Sequence, residues 1–249
     1  KMNSDVKEIS IIEPKVKTIE VNKGEKVNVI FSNAKMNRSF NRHTDEGVNN
    51  LLSLKGDFAV DEVQYIKQIH SDKVLVYDKE QKDFIENEGD AIVTKEKSVI
   101  IGAFTADCVP VILVDESTST IAAIHSGWKG TFNDITKNAA EKMINEFNCD
   151  VSNIKAYIGP HIRQCCYEVS EDLKEKFINK FNVPSEKLFK GRNLSMELCI
   201  EEDLKSLGIK DENIYSFALC THCEKENKLF SYRRSNGTYG RLFSFSYIK

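Results

Sequence analysis

The sequence is poor in proline, in tryptophan and in surplus charge of either sign. Four prolines in 249 residues leave no proline-rich linker to divide the chain. The 35 basic and 38 acidic residues are interspersed and sum to a net charge of −3, so there is no global field to hold nucleic acid or an anionic membrane surface. Long apolar runs are missing as well: the run at 109–114 is strand length. A bilayer-crossing helix needs roughly 20 residues. The opening residues carry no signal-peptide pattern, and Lys1 before Met2 puts the expected natural start at Met2; the expected compartment is the cytoplasm. Neither a P-loop nor a G-x-G-x-x-G after a strand occurs, which speaks against nucleotide cofactors of those classes. The expected partners are small molecules.

Several features are present. Seven cysteines, an odd number without a secretory signal, read as packed, ligating or reactive thiols rather than disulfides. A hydrophobic content of 41% supports a sizeable core, and residues 1–249 are expected to form a single domain. Segments at 16–21 and 27–31 flank Asn22-Lys23-Gly24, a hairpin turn. Residues 33–45 read as an ordered polar loop, and Val48, Leu51, Leu52 and Leu54 as the face of a short helix. Residues 62–70 read as a strand that delivers His70, 74–77 as another, 87–90 as a polar linker and 91–94 as a short strand.

The stretch 98–130 holds two buried-looking strands, with Cys108 at the mouth of one and His125 at the end of the next. A glycine-punctuated turn around Trp128, the only tryptophan, follows. Thr131 and Asp134 resemble a capping box before Ile135, Ala139, Met143 and Phe147, which recur at helical spacing. Then come a strand at 154–158, a helix capped by Ser170 with Leu173, Phe177 and Phe181 on its face, and a helix through Leu198, Leu204 and Leu207 that stops at Gly208. A strand at 214–219, a Gly-rich turn after Arg234 and a strand around Phe243, Phe245 and Tyr247 end the chain. The mixture lacks a strict β-α-β rhythm and predicts a mixed-sheet α/β domain rather than a doubly wound parallel one.

His70, Cys108 and His125 each stand at a strand-to-loop junction. Two imidazoles and a thiolate make a zinc set that leaves the fourth position to water or substrate. The same residues also fit a Cys nucleophile with a His base, or a packed Cys and two structural histidines.

Five motifs carry a resemblance. They are Lys67-Gln68-Ile69-His70-Ser71-Asp72, Thr105-Ala106-Asp107-Cys108-Val109-Pro110-Val111, Ala123-Ile124-His125-Ser126-Gly127-Trp128-Lys129-Gly130, Ile158-Gly159-Pro160-His161 with Cys165-Cys166-Tyr167-Glu168-Val169, and Phe230-Ser231-Tyr232-Arg233-Arg234. In this order the chain resembles the YfiH laccase-domain family, also described as polyphenol oxidases and as purine nucleoside phosphorylases. The resemblance implies a four-layer α/β/β/α sandwich with mixed sheets, of the kind shared with deamidating toxins, and a zinc site of His70, Cys108 and His125. It further implies phosphorolysis of adenosine, inosine, guanosine or methylthioadenosine, and adenosine deamination. Copper-dependent laccase activity and action on cell-wall precursors are also attached to the family. The N-terminal part departs from the pattern, because 31–37 lacks the family's Arg and paired glycines.

Zinc chemistry suits a nucleoside. Zinc-activated water can attack C6 of adenine, although other zinc deaminases shuttle protons with a Glu. No Glu adjoins these ligands in sequence, and Asp107 is the candidate acid. Phosphorolysis needs an anion held near C1′ of the ribose, and Arg233, Arg234, Arg163 and Lys129 are the candidate phosphate partners. His161 is a candidate substrate contact and Trp128 a stacking surface. Copper oxidation needs several imidazoles, and the chain has five histidines; copper can still occupy a two-His, one-Cys set. Rival expectations are a Cys108–His125 hydrolase or amidase and a zinc-stabilised binding module without turnover. Cys220-Thr221-His222-Cys223 has C-x-x-C spacing, but its partner pair would be Cys165-Cys166, so packed thiols are expected there.

Overall fold

Three consecutive strands, β7 (Val99–Thr105), β8 (Val109–Asp115) and β9 (Thr120–Ser126), are buried along their whole lengths. Strands covered on both faces read as continuous apolar runs, which is why this part of the sequence is so apolar. It holds three strands, one more than its pattern suggested. The computed structural model describes residues 9–12, 16–20, 26–237 and 240–249. The turn Asn22-Lys23-Gly24 and part of the Gly-rich turn after Arg234 lie outside the described residues.

Two mixed six-stranded sheets form the centre. One has the order β1 (Ile9–Ile12), β2 (Val16–Glu20), β3 (Val27–Ser32), β14 (Leu242–Ile248), β7 and β4 (Glu62–Gln64). The other has the order β13 (Ile214–Ser216), β10 (Lys155–Ile158), β8, β9, β6 (Ala91–Thr94) and β5 (Val74–Val76). Pairing is antiparallel except for β4–β7, β5–β6 and β10–β13. A two-stranded ribbon, β11 (Phe189–Lys190) and β12 (Asn193–Leu194), stands apart.

Three apolar layers stack these elements. Val29, Phe31, Ile101, Ile112, Ile121 and Tyr157 fill the space between the sheets. Leu51 and Leu54 of α1 (Asp45–Phe58) cover the outer face of the first sheet with Ile100, Phe243 and Phe245. On the far side, α3 (Ile135–Phe147), α4 (Glu171–Lys180) and α6 (Met196–Ser206) cover the second sheet through Ala139, Met143, Phe177, Ile200 and Leu204. Short helices α2 (Trp128–Phe132), α5 (Ser185–Leu188) and α7 (Tyr232–Ser235) connect the rest. The result is the expected α/β/β/α sandwich.

Local signals held where one side chain decides a helix end. Ser170 Oγ accepts from Leu173 N at 3.2 Å, and Gly208 takes φ +100° behind α6, a conformation that costs glycine little. Others did not. Thr131 lies inside α2 and bonds Ser126 Oγ at 2.7 Å, while Asp134 precedes α3 at φ +64° with no capping bond. Helix α1 is longer than expected, and Leu52 is 57% exposed rather than on the packed face. Strands at 62–70 and 214–219 stop at Gln64 and Ser216.

Gly102 on β7 lies under the ring of Phe243, whose atoms would overlap any Cβ there. Phe243 is itself fixed between Phe104 and Phe40, with ring centroids at 4.9 and 5.8 Å, so it has no room to withdraw. Gly102→Ala is expected to lower stability by about 1–3 kcal/mol, read as a lower urea midpoint at unchanged slope.

Candidate metal centre

A buried carboxylate organises the site. Asp90, just before β6, accepts from the backbone N–H groups of Ile69, His70 and Ser71 at 3.3, 3.0 and 2.6 Å. The same carboxylate lies 2.8 Å from His125 Nδ1. An ionised carboxylate only accepts, so Nδ1 carries the proton and Nε2 is left as the ligand atom. His70 sits at φ +58°, outside the extended range, and the Asp90 bonds hold this turn. Burial by itself would raise the Asp90 pKa, but His125 and Ser71 bring it below the usual carboxylate range.

His70, Cys108 and His125 offer ligand atoms that all lie within 4.8 Å of one another. Cys108 Sγ is 4.0 Å from His70 Nε2, and the two imidazoles meet edge to face with centroids 4.8 Å apart. Gly127 closes in behind: a Cβ there would stand 3.0 Å from both Cys108 Sγ and His70 Cδ2. Burial would push the Cys108 thiol up, yet the His125 imidazolium, with help from His70, draws it down to about 6. His125 moves oppositely, because Cys108 and Asp90 override the effect of burial and raise it to about 9. The metal-free pair is thus a thiolate–imidazolium between those limits, and the three donors can hold a metal ion.

This corner opens into a cavity of about 690 Å³. Asp107 lines it but is fully engaged: at φ +110° its carboxylate accepts from Thr221 Oγ1, Ser231 Oγ and Arg233 N at 2.6, 2.7 and 2.7 Å. It ties the C-terminal segment to the Cys108 loop and is not the free acid expected. Arg233 reaches the cavity, with its guanidinium 5.5 Å from the Tyr167 ring centroid and bonded to Glu168 O at 3.3 Å.

Four other expected contacts lie away from the cavity lining. His161 is buried, with Nδ1 2.9 Å from Gly159 O and Nε2 3.8 Å from Glu197. Arg163 bonds Glu197 and Ala218 O, each at 3.2 Å. Arg234 bonds Thr221 O at 2.7 Å and His222 O at 3.1 Å. Lys129 lies 5.6 Å from the Trp128 ring centroid. Among the described residues, none of these four lines the cavity. Trp128 does.

Sequence reasoning missed Asp90, Arg42, Glu88 and Arg241, all but Asp90 in the cavity lining. Arg42, 5.2 Å from the Tyr65 ring centroid, donates to Ile85 O at 2.9 Å. Its only sequence signal was its place in the polar loop 33–45. Away from the corner, Cys165, Cys166, Cys220 and Cys223 bring their sulfur atoms within 4.8 Å of one another.

Fold and site together define a four-layer α/β/β/α domain with an open two-histidine, one-cysteine corner. Residues 27–249 match the family model described as multi-copper polyphenol oxidoreductase laccase. The chain is 43% identical over 223 residues to a purine nucleoside phosphorylase of Clostridium acetobutylicum, covering 90% of this chain and 92% of that one. It is 32% identical over 211 residues to an adenosine deaminase from an unknown prokaryotic organism, covering 80% and 79%. Among solved structures, the YfiH protein of Bacillus licheniformis superposes with a TM-score of 0.87 at 25% identity, covering 96% of this chain and 98% of that one. The chain belongs to the YfiH-type laccase-domain family.

Two outcomes test the geometry. Asp90→Asn, which cannot hold His125 in the same tautomer by charge, is expected to weaken metal affinity about 10–100-fold in chelator competition. In metal-free protein, ultraviolet thiolate absorbance should titrate with a midpoint near 6 and move up toward about 8.5 in His125→Ala. The signs follow from the shifts: stabilisation from the depressed Cys108 is lost as pH falls through about 6, and that from the raised His125 is lost as pH rises through about 9.

Proposed function

We propose that residues 1–249 act as one domain, a cytoplasmic zinc-dependent purine nucleoside phosphorylase that also deaminates adenosine. One observation carries this: a single cavity joins the His70–Cys108–His125 corner to the aromatic residues Phe104, Trp128, Tyr167 and Tyr232 and to the arginines Arg42, Arg233 and Arg241. Its volume falls within the roughly 300–1,000 Å³ of small-molecule sites. The relatives' names support the same substrate class. Among the described residues no helix is long and apolar enough to cross a membrane.

Zinc suits the donors His70, Cys108 and His125, which would hold it, and it would supply Lewis acidity there. The chain's own groups do the rest. Arg233, braced by Tyr167 and with both terminal nitrogens donating to Glu168 O, has further N–H donors for phosphate. Trp128 and Tyr232, 38% and 55% exposed, offer faces for a purine ring. Glu88, a carboxylate in the cavity lining, takes the proton-transfer role in deamination that Asp107 is too engaged to fill. Copper oxidation fits less well, because among the described residues the metal-capable groups are this corner and an all-cysteine cluster, and neither gathers the several imidazoles of multicopper chemistry.

One feature favours a different chemistry: the Cys108–His125 thiolate–imidazolium pair also suits a hydrolase or amidase. Turnover that survives stringent chelation and ends on alkylation would select it.

Adenosine, inosine, guanosine and methylthioadenosine, each with and without phosphate, are expected to give phosphate-dependent release of free base by chromatography, with inosine formed from adenosine. Glu88→Gln is expected to slow inosine formation about a hundredfold and leave phosphorolysis in place. Zinc-loaded protein that yields neither base nor inosine overturns the proposal.

A further inference from the structure

We propose that Cys165, Cys166, Cys220 and Cys223 form a second metal centre, a four-thiolate site for one zinc ion, separate from the His70–Cys108–His125 corner. Cys165 Sγ lies 3.7 Å from Cys223 Sγ, and all four sulfur atoms fall within 4.8 Å of one another. A tetrahedron with Zn–S bonds of about 2.3 Å has edges of about 3.8 Å. The cluster already has the size of one ion's coordination sphere, and all four residues are free thiols.

Topology produces the cluster. Strands β10 and β13 run parallel as neighbours, and a bridge between His161 and Cys220 prolongs their ladder. The loops that leave their C-terminal ends therefore emerge side by side, one with Cys165-Cys166 and the other with Cys220-Thr221-His222-Cys223. In the second loop the backbone N–H groups of His222 and Cys223 point back at Cys220 Sγ, and Arg163 N–H joins them at 3.4 Å. Cys220 is buried, Cys166 half-buried, and Cys165 and Cys223 exposed, which gives an ion a dry inner side and a route in from solvent.

Such an ion would staple the 163–168 segment to the 220–223 turn. The first segment carries Tyr167 and the Glu168 carbonyl that brace Arg233; the second carries Thr221, which donates to Asp107. The thiols give up their protons as the ion binds, and zinc adds no redox step. The role is positioning, and it does not depend on the activity proposed above.

The test is metal analysis of the full chain purified under reducing conditions, with His70→Ala/Cys108→Ala/His125→Ala removing the other corner. Wild type is expected to hold about two zinc ions and the triple variant about one, with an absorption-edge shell of four sulfurs at about 2.3 Å. Adding Cys165→Ser/Cys223→Ser should bring zinc to about zero. A triple variant without zinc, nitrogen or oxygen in its shell, or iron in place of zinc overturns the proposal. If the serine variant fails to fold, thiol titration of the native zinc-loaded triple variant, in which Cys108 is absent, decides: four thiols that react only after chelation support the centre, and the same four reacting at once overturn it. Wild type with one ion in an all-sulfur shell would sink the catalytic zinc and keep this centre.

Discussion

The carboxylate of Asp90 is the interaction on which the site depends. Its side chain is fully buried, and burying a charge is costly unless donors surround it. Here they do: three backbone N–H groups, the Ser71 hydroxyl and His125 Nδ1. Hydrogen bonds to charged groups contribute about 1.5–3 kcal/mol each, enough to hold His70 in its left-handed turn. One side chain thus sets the backbone of one ligand and the ring orientation of another, and it does so from the start of β6, the strand that pairs with β9.

Asp107 plays the matching part on the opposite wall. Its three donors come from Thr221, Ser231 and Arg233, so the loop that presents Cys108 also fixes the C-terminal segment. Arg233 reaches the cavity because its own backbone is held there. Arg163 and Arg234 end differently, since Glu197 and a set of carbonyls take up their guanidinium groups. All three arginines have fixed partners; what separates Arg233 is that its partners, Tyr167 and Glu168 O, hold it at the cavity.

This explains what could be read in advance. The apolar character of 99–126 was legible because both faces of its strands are buried, although two strands were read where there are three; His70, Cys108 and His125 stood out because ligand-bearing residue types ended apolar segments. Asp90 was not, since within Asn87-Glu88-Gly89-Asp90 it looks like any polar linker; its partners lie about twenty residues earlier and 35 later. Arg42 and Arg241 enter the cavity from loops whose meeting is a product of sheet order. The parallel pairing of β10 with β13, which brings Cys165 and Cys166 beside Cys220 and Cys223, is equally invisible in spacing.

The electrostatics of the corner also set a cost on metal binding. A metal-ligating imidazole must be neutral at the ligand nitrogen, whereas the Cys108 thiolate and Asp90 hold His125 protonated up to about 9 in the metal-free chain. Near neutrality the thiolate is therefore already formed, and the proton that metal must displace belongs to His125. Asp90 acts on both sides of this competition, because it makes Nε2 a stronger donor to a cation and equally a stronger base toward a proton. Metal binding at this corner consequently releases a proton from histidine rather than from cysteine across the range between about 6 and 9, and its apparent affinity rises with pH through that interval.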